Sequence, residues 1–168
     1  MPSCTVGEKR MNPLKNSPDY SLILFHRRGK LPSIAAKSGC ITTMTETQIL
    51  EILKDSKGLY SLANQFRINP DVSELMVLLN SSNDNVVEVG AWISGEILIA
   101  KENAQPVVFR LRQLANHSNP SIRFHAIGAL FPLLDPADPA TREMLIKLSH
   151  DSNKGVRLSA EAALKRLS

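Results

Sequence analysis

Beyond residue 40 the chain has no cysteine; its two thiols, Cys4 and Cys40, lie in the first quarter. A disulfide framework or a cysteine-based zinc site is therefore excluded for the body of the protein, which suits a reducing cytoplasm. Aromatic residues make up 5% of the sequence, with a single tryptophan. No stretch alternates apolar and polar residues as a half-buried strand does. In the N-terminal segment the run Leu22-Ile23-Leu24-Phe25 is too short for a signal-peptide core or a membrane span.

Catalytic patterns are equally scarce. His117, His125 and His150 stand isolated, with no His-Glu-x-x-His pair, no Gly-rich phosphate loop and no Gly-x-Ser-x-Gly elbow. Asp135 and Asp138 flank Pro136 and read as turn and cap residues rather than an acid/base pair. The expectation is a protein that is not an enzyme and carries no cofactor or metal.

Charge is unevenly distributed. Residues 1–43 carry seven Lys and Arg against Glu8 and Asp19, whereas residues 44–168 hold 13 basic and 14 acidic residues. The overall charge of +4 thus belongs to the N-terminal segment. A nearly neutral body leaves no basic footprint for nucleic acid. Residues 1–43, with scattered Pro, Ser and Thr and no helical or strand period, are expected to be a disordered basic tail. Two readings of this tail stay open, an organellar transit segment and an extension preceding a start at Met44.

What the chain does have is an internal repeat. Residues 86–98, 122–134 and 156–168 superimpose without a gap, stepping 36 residues and then 34. A step of that size means stacked supersecondary units. Leu75, Leu111 and Leu145 correspond, as do Leu78, Leu114 and Leu148, and Ile97, Leu133 and Leu167, and all are expected in the core. So are Gly90, Ala126 and Ala160, where a short side chain lets helix backbones approach closely. Val86, Gly90, Ile93 and Ile97 fall on one helical arc, the buried face of the second helix of a pair.

Helix starts are marked by Thr45-Glu-Thr-Gln48, a capping box, and by Asn69-Pro70, Asn119-Pro120 and Asp138-Pro139. The pattern predicts helices over about 46–54, 58–67, 70–80, 85–100, 105–117, 120–134, 139–149 and 154–167.

These units resemble HEAT-type repeats, in particular the short form found in phycobilin-lyase-like proteins, whose second helix opens with an apolar residue and Arg before a run rich in small residues. Ile122-Arg123 before Ala126 and Val156-Arg157 before Ala160 carry the likeness, whereas Val86-Val87 departs from it. The resemblance implies an all-α, right-handed α-solenoid of about four helix pairs over residues 44–168. It also implies that Arg123 and Arg157, with Asp151, belong to the Asp and Arg ladder that ties one repeat to the next, with His117 in place of Asp before Arg123; binding of an anionic ligand is the competing role for the two arginines.

Opposite the buried arc, the second helices carry Glu88, Trp92, Gly95 and Ile99, then Phe124, Gly128, Phe131 and Asp135, then Leu158, Ala162 and Lys165. In HEAT solenoids these helices line the concave surface. The resemblance therefore puts Trp92, Phe124, Phe131 and Leu158 on one inner wall, with Glu88, Glu96, His125 and Glu161 at its edges. Aromatic anchors inside a polar rim make a protein-binding patch; packing between adjacent second helices is the competing explanation. The expected function is a non-catalytic, monomeric, cytoplasmic module that binds a protein partner and neither nucleic acid nor membrane, as an adaptor, assembly factor or immunity-type protein. A DNA-glycosylase-type enzyme or nucleic-acid binder on a HEAT-like scaffold is the alternative, and a phycobilin-lyase-like role a further one.

Overall fold

The computed structural model describes residues 44–97, 99–100, 103–135 and 137–167; the expectations for residues 1–43 lie outside that range. Regular structure among the described residues is entirely helical: α1 (Glu46–Ile52), α2 (Ser56–Ile68), α3 (Val72–Leu79), α4 (Asp84–Glu96), α5 (Gln105–Leu114), α6 (Pro120–Leu130), α7 (Pro139–Leu148) and α8 (Lys154–Arg166). A 3-10 turn at Phe131–Leu133 follows α6.

Side-chain caps open most of these helices. The Thr45 capping box forms in full, with the Gln48 amide donating to Oγ1 and the Thr45 amide to Oε1 of Gln48. Asn119 accepts from the Ser121 amide at 2.9 Å and Asp138 from the Ala140 amide at 3.1 Å. The expected cap at Asn69 is corrected to Asp71, which accepts from the amides of Ser73 and Glu74. Asn69 is already committed to closing α2, its amide bonded to the Gln65 carbonyl at 2.9 Å.

Each first helix packs on its second, α3 on α4, α5 on α6 and α7 on α8, while α4 packs on α6 and α6 on α8. The α4–α6 contact is the most extensive, so these two helices lie at the centre of the packing. The matched leucines at 75, 111 and 145 and at 78, 114 and 148 are all buried, and Ala126 and Ala160 are sealed. At Gly90 an added Cβ would sit 2.8 Å from Cβ of Leu78 and 3.1 Å from the amide nitrogen of Leu79. The small position is therefore the close approach of α3 to α4. Leu133 departs from its matched partners, since Ile97 and Leu167 are buried and Leu133 only half-buried. The cause is Pro132, which has no N–H and cannot continue an α-helix. Helix α6 ends at Leu130, which is buried.

Candidate functional site

Helices α2, α4 and α6 each carry an aromatic side chain that is not fully buried. Trp92 on α4 is half-buried, its ring edge-on to Tyr60 of α2 with centroids 6.1 Å apart and planes at 81°. Tyr60 remains 50% exposed, so the pair is neither core nor free surface. On α6, Phe124 is half-buried and meets His125 edge-on at 5.3 Å. A Cβ built on Gly155 would lie 3.6 Å from the Phe124 ring, which places that ring over the start of α8. Leu158, at the matched position of α8, is 54% exposed. Gly128, one turn beyond Phe124, faces open space, with no heavy atom within 4 Å of an added Cβ. Phe131 turns toward α8 and lies beneath the Arg166 guanidinium, 4.8 Å from the ring centroid.

The expected edge residues divide. Glu96 is ion-paired with Arg67 of α2, both side chains part-exposed, and Glu161 is exposed. Glu88 is corrected: it is 1% exposed, sealed between α4 and α6 rather than placed at a rim. The Ser121 hydroxyl donates to its Oε1 at 2.6 Å, and His125 Nε2 stands 3.9 Å from the same oxygen. A buried carboxylate is tolerated where such polar partners meet it. Gly95 is also not outward-facing, because an added Cβ there would contact the backbone of Ala129 at 3.4 Å. Both corrections follow from α6 covering a side of α4 that a single helical period marks as free. Burial lowers the His125 pKa to about 4, so its imidazole is neutral near pH 7.

Arg123 and Arg157 are occupied internally. Arg123 grips Asp151 through Nε and Nη2, each at 2.8 Å, and its Nη1 donates to the carbonyls of His117 and Ser118. Arg157 repeats the second contact, donating to the carbonyls of Asp151 and Ser152 at 2.7 and 3.0 Å. The hydrogen bond from Arg123 is the main reason the Asp151 pKa is lowered. One repeat earlier Val87 has no guanidinium to offer, and His117 instead faces Asp84 at 3.6 Å. The two departures from the motif at 87 and 117 are thus one missing rung.

Sequence reasoning overlooked Tyr60 and Arg67, because α2 lacks the matched phrase that aligned the later helices. Among the described residues no group of three or more His, Cys, Asp or Glu is arranged to hold a metal ion, and no helix is long and apolar enough to cross a membrane. No protein-family model, no curated protein and no solved structure matches the chain.

Proposed function

We propose that residues 44–168 form a right-handed HEAT-like α-solenoid of about four helix pairs that acts as a non-catalytic protein-binding module, a cytoplasmic monomer whose partner docks across the row of second helices. The repeat of the matched leucines, the packing of α4 on α6 and α6 on α8, and the Arg123–Asp151 rung support the scaffold. The observation that carries the binding reading is the part-exposed Tyr60–Trp92 pair, followed by the open position at Gly128 and by Phe124 and Leu158. Rigid aromatic rings beside an unfilled step in a helix surface offer anchor points and a pocket for a partner's apolar side chain.

The polar groups around this face favour a protein over a nucleic acid. Arg67 is tied to Glu96, Arg166 lies over Phe131 and His125 is neutral. Phosphate binding needs cations that are not already engaged.

The test is the double substitution Trp92→Ala with Phe124→Ala. Loss of a central aromatic anchor costs about 2 kcal/mol or more, roughly 30-fold in affinity, so a partner isolated with the intact protein should bind at least that much more weakly. Loss of folding stability with unchanged partner affinity would return both rings to packing.

A further inference from the structure

Helices α1, α2 and α3 enclose a feature that the binding wall does not use. Met44, Ile49, Phe66, Glu74, Val77 and Leu78 line a small, open, shallow cleft. Its floor is apolar and buried, with Ile49, Phe66 and Leu78 each 2% exposed, whereas Val77 at the rim is 51% exposed. Glu74 is the single acidic residue of the lining, and its Oε2 is buried without any hydrogen-bond partner. A carboxylate oxygen left unpaired in apolar surroundings is costly, and the remedy is a cation arriving from solvent on an apolar stem. Burial and the neighbouring Asp71 both raise the Glu74 pKa, as expected of a carboxylate that lacks a positive partner. The matched positions in later repeats hold Arg110 and Met144, so the feature belongs to the first part of the fold alone.

We infer that this cleft is the docking site of the chain's own segment 22–28, Leu-Ile-Leu-Phe-His-Arg-Arg, with an apolar side chain of the run seated on Phe66 and Leu78 and an arginine meeting Glu74. Three observations select this occupant over a foreign one. Charge is complementary, since residues 1–43 hold seven basic and two acidic residues while residues 44–104 hold nine acidic and four basic. The chain joins the folded body at the cleft itself, because Met44 is part of the lining. The connection is short: a random coil as long as the segment from Arg28 to Met44 would span about 20–25 Å, which would hold the segment at an effective concentration on the order of millimolar. Even a weak contact is then well populated. The inference is independent of the wall formed by Trp92 and Phe124.

The test uses the full-length chain with Cys4 and Cys40 changed to Ser, which leaves no thiol in the sequence. One variant carries Ser21→Cys with Val77→Cys at the cleft rim, and a control carries Ser21→Cys with Phe109→Cys, on α5 and 65% exposed. Intramolecular disulfide formation in a glutathione buffer should be about tenfold faster at position 77 than at 109. Arg27→Glu with Arg28→Glu should abolish that preference, and adding Glu74→Arg should restore it. If Glu74→Arg does not fold, Glu74→Gln must lower the preference by itself. Equal rates at 77 and 109, or a preference insensitive to charge reversal, would overturn the inference. So would cross-links that form only between chains and rise with concentration, since these make a second copy the occupant.

Discussion

Glycine at 90 and glycine at 128 occupy the same kind of helix interior, yet an added methyl group should act on them with opposite sign. At Gly90 a Cβ would stand 2.8 Å from Cβ of Leu78 and 3.1 Å from the Leu78 carbonyl carbon and the Leu79 amide nitrogen. Ordinary carbon contacts begin near ~3.5 Å, so α3 and α4 would have to separate by about 0.7 Å. The atoms in the way are backbone and Cβ, which no change of rotamer can move. Overpacking of this kind costs about 1–3 kcal/mol, while Gly→Ala inside a helix returns about 1 kcal/mol of propensity. Gly90→Ala should therefore lose up to about 2 kcal/mol, a fall of roughly 2–8 °C in melting temperature per kcal/mol for a domain of this size. Gly128→Ala meets nothing within 4 Å and should keep the propensity gain, stabilising by about 0.5–1 kcal/mol. Thermal and urea unfolding of the two variants, followed by circular dichroism, give the comparison. A Gly90→Ala that stabilises as much as Gly128→Ala would refute the close approach of α3 to α4 and with it the alignment of small residues at 90, 126 and 160.

The remaining predictions concern the polar interior. The unfolded chain protonates His125 near its ordinary value of 6.5, but the folded protein does so only at about 4. Stability is thus complete above pH 6.5 and falls as pH drops toward 4, by up to about 3 kcal/mol. Glu74, with its raised pKa, acts in the opposite sense, so the comparison is with His125→Gln, which should flatten the slope between pH 6.5 and 4. Arg123→Ala removes both the Asp151 pair, whose side chains are 12% and 10% exposed, and the contacts to two carbonyls. Its expected cost is about 3 kcal/mol in equilibrium unfolding, and a change below about 0.5 kcal/mol would deny the rung a structural role.

Much of the helical framework is legible in the sequence, for local reasons. Asn119-Pro120 and Asp138-Pro139 announce helix starts through chemistry confined to a few neighbouring residues, and the capping box at Thr45 does the same. The repeat located the buried leucines because identical units must bury identical positions. Local signals failed where two of them competed, as at Asn69, which closes α2 while Asp71 opens α3, and at Pro132, which ends α6 before Leu133. The candidate site was less accessible. Helical periodicity identifies the face turned to the core but not how much of the opposite face a neighbour covers. Trp92 and Phe124 consequently surface in part, whereas Glu88 disappears between α4 and α6 against Ser121 and His125. Tyr60 reaches the site through the packing of α2 on α4, a tertiary contact without a counterpart in the repeat. The unpaired oxygen of Glu74 is likewise a product of three-dimensional packing.

The proposal of a protein-binding wall meets its most direct test at Gly128, where the open space that would receive a partner can be filled without disturbing the fold. Gly128→Arg places a long side chain one turn beyond Phe124 on α6 and, on an unobstructed helix surface, should leave the melting temperature unchanged or slightly raised. Phe109→Arg, on the exposed side of α5, is the matched control. Affinity capture from the native host followed by titration of the isolated partner should show binding retained by the intact protein and Phe109→Arg, and reduced at least about 30-fold by Gly128→Arg. Equal partner affinity for all three proteins, each shown to be folded, would contradict the assignment of the second-helix wall as the binding surface.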